Sequence, residues 1–253
     1  MNVLEIKNLN FTYHSKDRET KAVDGVCFNV EEGAFVGLVG PSGCGKTTIL
    51  NILAGIYRGY QGEITLCGKD LLASVGKIAL MPQRDQLFEW RNIEKNIMLG
   101  PEITRKKTKE TVRYGLELLT KYGLGDATKK HPSELSGGMR QRVALIRTLV
   151  LKPDVLLLDE PFSALDFQTR LNVCDDVYSI IKQEKKTALL VSHDINECIS
   201  LCDKVIVLSK RPTRVLEEIP IGLDKSLSPL KRRECGDFGK YFEQIWKRLE
   251  EGV

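Results

Sequence analysis

One stretch, GPSGCGKT at residues 40–47, limits the possible folds of this chain more than any other feature. It fits the pattern G-x-x-x-x-G-K-[ST], follows the apolar run AFVGLV (34–39) and precedes a helix-favouring segment. Glycines are required there because backbone N–H groups must approach a phosphate closely, and Cβ atoms would obstruct that approach. A strand, a glycine-rich loop and a helix in this order predict a phosphate-binding loop in an α/β protein.

The side chains of this loop suit a nucleotide and a Mg²⁺ ion. Lys46 supplies a mobile positive charge for the β- and γ-phosphates, and the Thr47 hydroxyl is available to the metal. We interpret Cys44 as a small loop residue whose side chain points away from the phosphates. The predicted nucleotide-binding residues of the loop are Gly40, Pro41, Ser42, Gly43, Cys44, Gly45, Lys46, Thr47 and Thr48.

A second motif, VLLLDEP (155–161), supplies the acidic residues that a Mg²⁺ site needs. Four apolar residues place Asp159 at the carboxyl end of a buried strand, where ligands gather in open α/β sheets. Asp159 is predicted to hold the metal through water, and Glu160 to act as general base for the water that attacks the γ-phosphate. The two motifs predict a nucleotide hydrolase or a nucleotide-dependent transferase, and they leave that choice open.

Hydrophobic patterning predicts how the rest of the chain is built around this loop. Continuously apolar runs are typical of parallel strands covered on both faces, whereas alternation indicates a half-exposed antiparallel sheet. Alternation occurs near the N-terminus, in Leu4/Ile6, Val26/Phe28/Val30 and Ile64/Leu66. Apolar runs lie at 34–39, 155–158, 187–192 and 204–208, separated by helical segments at 45–56, 139–151, 168–183 and 194–201.

We expect a single domain over residues 1–253 with two additions to the core. Residues 84–140 are charged and helix-favouring, and are predicted to form an inserted helical subdomain. Residues 210–253 are predicted to form a C-terminal tail that ends in an amphipathic helix at 237–250.

Composition argues against several other classes of protein. The 253 residues are 42% hydrophobic and 28% charged, no run approaches the roughly 18 apolar residues that cross a bilayer, and the N-terminus does not resemble a signal peptide. A net charge of +4 is too small to indicate nucleic acid as a partner. Seven cysteines without a C-x-x-C pair predict buried thiols in a reducing compartment and argue against a metal site.

A third motif, LSGGMRQR at 135–142, has the features of a second anion cradle. Ser136, Gly137 and Gly138 stand directly before a helix-forming stretch, whose first N–H groups point toward a ligand. This cradle has no lysine and no metal-binding acid. We therefore interpret it as half a site, which needs the phosphates held by a partner.

In combination, these motifs resemble those of the ATP-binding-cassette (ABC) ATPases over nearly the whole chain. LSGGMRQR resembles the family's signature motif, MPQRD (81–85) its glutamine loop, SALD (163–166) its D-loop and LLVSHD (189–194) its switch-histidine segment. The resemblance implies adenine stacking by Tyr13 in FTY, contacts from Gln83 to the metal and the attacking water, a γ-phosphate contact by His193, and contacts across a dimer interface by Ser136, Gly137, Gly138 and Asp166.

The resemblance also implies a catalytic assembly and a fold class. The fold is that of a P-loop NTPase with a mixed central sheet, an N-terminal antiparallel β-subdomain and an inserted helical subdomain. Two copies of the chain form a homodimer in which ATP on one chain is capped by the signature motif of the other. The ligands are ATP and Mg²⁺, with Thr47, Gln83 and Asp159 at the metal and Glu160, His193 and Gln83 in catalysis.

Within the family, the sequence is similar to the ATPase subunits of bacterial importers. MPQRDQLFEWRNIEKNI (81–97) and SKRPTRV (209–215) resemble the group that serves nitrate, sulfonates, taurine and thiamin-precursor pyrimidines, although Glu89 stands where proline is usual and Thr213 where glycine is usual. This implies integral membrane permease subunits, an extracytoplasmic substrate-binding protein and a place on the cytoplasmic face of the membrane. An exporter ATPase and a soluble, non-transport ABC ATPase stay open as alternatives.

The segment after the glutamine loop, roughly 84–100, is predicted to meet a helix of the membrane subunit. Leu87, Phe88 and Trp90 are candidate apolar contacts, and packing in the core explains these three residues equally well.

Overall fold

The structure is a computed structural model that describes residues 1–15, 18–74 and 76–252. Its N-terminal part contains a four-stranded antiparallel sheet in the order β2-β1-β4-β5. Leu4 pairs with Val30 on one side and with Leu66 on the other, so the alternating apolar residues share one buried face. The predicted antiparallel sheet is confirmed. Its strands are β1 (Asn2–His14), β2 (Glu19–Glu31), β4 (Gln61–Leu66) and β5 (Lys69–Asp70).

A six-stranded sheet forms the centre of the protein, in the order β10-β9-β3-β8-β7-β6. Five strands are parallel, and β10 pairs antiparallel with β9, which makes the sheet mixed as expected. The four predicted apolar runs are strands of this sheet, whereas β6 and β10 were not predicted. The strands are β3 (Phe35–Val39), β6 (Ile78–Met81), β7 (Val155–Asp159), β8 (Thr187–Val191), β9 (Lys204–Leu208) and β10 (Val215–Pro220).

The four predicted core helices are present, and polar side chains begin three of them. Ser136 accepts a hydrogen bond from the Met139 N–H, and Asp166 and Asp194 accept from the third and second residues beyond them. Because these caps also lie in the signature, D-loop and switch-histidine motifs, the same residues fix where each helix starts. The helices are α1 (Lys46–Leu53), α5 (Gly137–Leu149), α6 (Phe167–Gln183) and α7 (Ile195–Leu201).

Residues 84–140 contain helices and no strand in the described chain. The buried side chain of Asn96 accepts from the Phe88 N–H at 2.7 Å and donates to the carbonyls of Phe88 and Arg91, which fixes the segment before α2. Residue 140, the predicted boundary, lies within α5, and the division into subdomains stays a prediction. The helices are α2 (Ile93–Ile97), α3 (Leu99–Ile103) and α4 (Lys109–Lys121).

The C-terminal segment is attached to the core by β10, by α8 (Pro229–Arg232) and by α9 (Phe238–Glu251). Ile245 of α9 is fully buried. Arg232 is 1% exposed, donates to the carbonyls of Asp224 and Ser200 at 3.1 Å and also donates to the Tyr178 hydroxyl. These bonds satisfy a buried guanidinium and tie the tail to α6 and α7.

Each face of the central sheet covers its own hydrophobic core. Phe35 and Val39 belong to the core shared with α4–α7 and α9, while Val36 and Leu38 belong to the core shared with α1 and the antiparallel sheet. Burial on both faces explains why the parallel strands are continuously apolar. No helix in the described residues combines the length and apolar character needed to cross a bilayer.

Asp203 links the first residue of β3 to helix α6. It accepts from the Phe35 N–H at 2.8 Å and from Lys182 at 3.1 Å, and the Lys225 ammonium lies 2.9 Å from its other oxygen. Burial acts to raise the pKa of Asp203, but these donors outweigh burial and hold the pKa below its usual value.

Candidate active site

The candidate site lies at the carboxyl ends of three adjacent strands. Strands β3, β8 and β7 are neighbours in the sheet, so the loop after Val39, the residues after Val191 and Asp159 at the end of β7 meet at one edge. A cleft of about 330 Å³ opens there. Its lining residues are Ser42, Gly43, Gly45, Lys46, Thr47, Thr48, Gln83, Asp159, Glu160 and Arg211.

The phosphate loop has backbone angles that favour glycine at two positions. Gly43 has φ of 71° and Gly45 φ of 130°. A Cβ atom on Gly45 would lie 2.6 Å from Thr213 Oγ1 and 3.2 Å from the Ala22 carbonyl oxygen, so close packing also requires glycine there. Cys44 is 2% exposed and its side chain lies in the core beneath the loop.

Lys46 is the buried cation of the loop. Its ammonium donates to the carbonyl oxygens of Gly40 at 2.7 Å and Pro41 at 2.9 Å. The charge is thereby held inside the ring of loop residues, where the phosphates of a nucleotide would be bound.

Thr47 and Asp159 lie together on the cleft wall. The Thr47 hydroxyl donates to Asp159 Oδ1 at 3.4 Å. Burial, and then the neighbouring Glu160 charge, raise the pKa of Asp159, while the Thr47 bond and Lys46 act in the opposite direction. A bound cation would relieve this crowding of negative charge. A hydroxyl and a carboxylate are the oxygen donors that Mg²⁺ prefers, so these residues fit that metal.

Glu160 is the centre of a polar cluster built from three separate loops. His193 Nδ1 lies 3.1 Å from Glu160 Oε2, and Gln83 Nε2 donates to the same oxygen at 3.2 Å. Gln83 also lies 3.3 Å from the Ser163 hydroxyl. The structure therefore brings together the three residues to which the resemblance gave catalytic roles, although 110 positions separate Gln83 from His193 in the chain.

The backbone at Glu160 is held in an unusual conformation. Its φ is 44°, in the left-handed region that costs a non-glycine residue about 1 kcal/mol or more. Hydrogen bonds hold it there: the Glu160 N–H donates to the Val191 carbonyl at 2.8 Å, and the Ser163 hydroxyl donates to the Glu160 carbonyl at 3.0 Å. These bonds fix the backbone of Glu160, which lines the cleft.

Tyr13 lies beside the phosphate loop within an aromatic cluster. Its hydroxyl is 2.9 Å from Thr48 Oγ1, and its ring meets those of Phe11 and Tyr57 edge-on at centroid distances of 5.0 and 5.8 Å. Burial is the main cause that raises the Tyr13 pKa, and the positive charge of Arg211 acts against it. Adenine stacking by Tyr13 stays a prediction.

The signature residues lie outside this cleft in the described chain. Ser136 is exposed and caps α5, and Gly137 and Gly138 form the first turn of that helix. A Cβ on Gly138 would lie 2.9 Å from Val173 Cγ2, so the glycine lets α5 pack closely on α6. Asp166 is likewise exposed and caps α6. One chain thus presents two separate sets of predicted nucleotide contacts.

Three residues of the site region were not predicted from the sequence. Ser163 fixes the Glu160 backbone, Arg211 lines the cleft, and Thr213 is fully buried against the phosphate loop. Arg211 and Thr213 both lie in the segment SKRPTRV, whose pattern indicated a subgroup of the family and not a place in the site.

The three candidate contacts for a membrane partner separate into two kinds. Leu87 is 7% exposed and belongs to the core. Trp90 is 75% exposed and stacks on the half-buried Phe88, with ring centroids 4.7 Å apart. The core explanation therefore holds for Leu87 and does not hold for Trp90.

Comparison with known proteins gives consistent results. The family model described as ABC transporter matches residues 23–163. The chain is 42% identical over 250 residues to the uncharacterized ABC transporter ATP-binding protein YtlC of Bacillus subtilis, covering 98% of this chain and 96% of that protein. It is 35% identical over 241 residues to the aliphatic sulfonates import ATP-binding protein SsuB of Bacillus thuringiensis subsp. konkukian, covering 95% and 93%.

Among solved structures, the chain is similar to the dimeric post-hydrolysis state of the ATP-binding cassette MJ0796 bound to ADP and Pi. The TM-score is 0.72 at 29% identity, covering 86% of this chain and 98% of that one. The phosphate loop, the acidic strand end, the fold and these similarities lead to one conclusion: the chain belongs to the ABC transporter family and is an ATP-binding, ATP-hydrolysing cassette.

Proposed function

We propose that this chain energises the uptake of a small solute, of the sulfonate class, by closing as a homodimer around two ATP molecules. One observation carries the catalytic part: the cleft holds the phosphate loop, Asp159 and Glu160, while Ser136, Gly137 and Gly138 lie outside it on the same chain. A nucleotide in the cleft therefore needs a second chain to supply the signature contacts.

The residues of the cleft have distinct parts in hydrolysis. The backbone of residues 40–45 and the Lys46 ammonium bind the phosphates. Thr47, Asp159 and Gln83 would hold Mg²⁺, which when bound supplies positive charge against the phosphate oxygens. Glu160 takes a proton from water as the water oxygen bonds to the γ-phosphorus, and the bond from that phosphorus to the bridging oxygen of ADP breaks.

His193 and Gln83 hold the base in place during this step. Both contact Glu160 Oε2, so the other carboxylate oxygen is left to orient and deprotonate water. His193 is 57% exposed, and we propose that it contacts the γ-phosphate of bound ATP. These contacts would position the reacting groups before hydrolysis, which lowers the entropic cost of the reaction.

The second chain contributes the start of its helix α5. That helix is 13 residues long, and its first N–H groups have no partner within the helix. With the Ser136 hydroxyl they form a cap for the γ-phosphate, and Asp166 reaches across the same interface. The dimeric state of MJ0796 supports this assembly. Loss of the γ-phosphate removes the bridge and opens the dimer.

The work of this cycle is passed to permease subunits in the membrane, with the cassette bound at the cytoplasmic face. The exposed Trp90 and its stacking partner Phe88 are the proposed contacts to a permease helix. The name of the similar SsuB supports import and the sulfonate class, as do the motifs at 81–97 and 209–215. An extracytoplasmic binding protein would deliver the solute.

Two experiments test the proposal, one for the shared ATP site and one for transport. Lys46→Ala should lose ATP affinity, whereas Ser136→Ala should keep ATP binding by the single chain and lose most hydrolysis. Hydrolysis by Ser136→Ala at the rate of the unaltered protein would contradict the shared site.

Transport is tested by purifying the chain with its bound membrane proteins and reconstituting the complex in vesicles. Uptake of a labelled sulfonate toward the side that holds ATP and the cassette supports an importer. Movement away from that side would show an exporter.

A further inference from the structure

The segment 209–214, which follows β9, is fastened directly to the phosphate loop. Thr213 is fully buried, its N–H donates to the Ala22 carbonyl at 2.9 Å, and its hydroxyl donates to the Cys44 carbonyl. Thr213 also packs on Gly45. The position of this segment is therefore fixed relative to the loop that binds phosphate.

This attachment places the Arg211 guanidinium at the cleft. Nη2 donates to the Gly43 carbonyl at 2.9 Å, and the side chain forms part of the cleft wall beside the loop and the two acids. Its positive charge also acts to lower the pKa of Tyr13, the residue proposed to stack on adenine.

The charge of Arg211 is available to a ligand, in contrast to that of its neighbour Arg214. Arg214 donates two hydrogen bonds to the Asp24 carboxylate. Arg211 contacts a neutral carbonyl, which leaves its charge uncancelled by that bond, and its planar fork has further N–H groups to donate. Arginine suits phosphate because two N–H groups can bind two oxygens at once.

We propose that Arg211 is a second cation for the phosphate chain of the bound nucleotide, beside Lys46. Arg211 lies outside the phosphate loop, and the buried Thr213 holds its segment beside the cleft. Asp159 and Glu160 bring negative charge to the same cleft, and a second cation offsets the repulsion that a polyphosphate would meet there. This inference rests on the proposed binding of ATP to residues 40–48.

The test measures MgATP and MgADP binding by calorimetry with four variants. Arg211→Ala and Arg211→Gln should each weaken binding about tenfold, the lower end of what a hydrogen bond between charged groups contributes. The glutamine variant removes the charge and keeps a neutral amide donor, so it separates the effect of the charge from that of hydrogen bonding. Lys210→Ala removes the same charge from the exposed neighbouring residue and should stay within twofold.

Lys46→Ala is the reference for the site itself. If it loses binding while Arg211→Ala binds within twofold of the unaltered protein, the Arg211 proposal is wrong and the site assignment stands. If Arg211→Gln binds with full affinity, the positive charge of Arg211 is not needed, which also overturns the proposal. Normal binding by Lys46→Ala would instead refute the proposed ATP site.

Discussion

Replacing Gly45 by alanine should lower both the stability of the protein and its affinity for ATP, because the backbone angle and the packing at this position both require glycine. The φ of 130° costs an alanine about 1–2 kcal/mol. The new Cβ would lie 2.6 Å from Thr213 Oγ1, and this hydroxyl cannot swing away without losing its bond to the Cys44 carbonyl. Such crowding in a packed region costs about 1–3 kcal/mol.

The combined destabilisation is about 3 kcal/mol, which for a chain of this length lowers Tm by roughly 6–12 °C. Thermal unfolding measures this shift. Gly33→Ala is the matched control, since its φ is 71° and a Cβ would meet nothing within 4 Å. The control should lose about 1 kcal/mol, or roughly 2–4 °C.

Gly45→Ala should also bind MgATP at least tenfold more weakly. Relieving the contact between the new Cβ and Thr213 moves the loop that carries the phosphate-binding N–H groups. Gly33→Ala should bind normally. Equal Tm values for the two variants, together with unchanged ATP affinity of Gly45→Ala, would refute the explanation of this position.

Two further predictions concern Arg232, which attaches the tail to the core, and Asp203, which links β3 to α6. Arg232→Met should cost about 3 kcal/mol in urea unfolding, because buried carbonyls lose their donor, while the exposed Lys231→Met should stay within about 0.5 kcal/mol. Asp203→Asn should cost about 2 kcal/mol at pH 7, the scale of hydrogen bonds between charged groups. Since the folded pKa of Asp203 is depressed, its contribution is complete above the unfolded pKa of about 4 and is lost as pH falls through the folded value. The difference between the two proteins should be constant from about pH 7 to 5 and shrink below about pH 4; a difference that grows on acidification would contradict this assignment.

In the central sheet, the strands that could be predicted are those that form an uninterrupted apolar run. Strand β3 and its parallel neighbours β7–β9 are covered on both faces, so hydrophobicity alone identifies them. Strands β6 and β10 lie at the two edges of the sheet. Strand β6 has four residues, and β10 reads VLEEIP with two exposed or half-exposed acids, so pairing with their neighbours stabilises them more than their own pattern does.

The site residues that could be predicted are those that stand in a recognisable motif at the end of a predicted strand or loop. Thr47, Asp159 and Glu160 each follow a recognisable strand or loop, and the sheet order brings them to one edge. The meeting of Gln83 and His193 at one oxygen of Glu160 depends on which strands are neighbours. The resemblance indicated only that both residues belong to the site. The left-handed backbone of Glu160 could not be predicted, because a glutamate gives no sign of a positive φ.

Arg211 was missed for a related reason. Its segment is held at the cleft by the buried Thr213, and a threonine in a sequence gives no sign that its hydroxyl will bond to a distant loop carbonyl. Only the distances between Thr213, Arg211 and the loop carbonyls show that the segment belongs to the site.

The shared site is tested most directly by the mass of Glu160→Gln in sedimentation velocity with and without MgATP. The substitution removes the base while leaving the phosphate loop and the signature residues intact, so bound ATP should persist. The account predicts a single chain without nucleotide, a particle of twice that mass with MgATP, and a return to the single chain when Ser136→Arg is added to block the cap. A single chain that binds MgATP at saturation without doubling its mass, or a dimer that forms equally well with Ser136→Arg, would contradict the central claim.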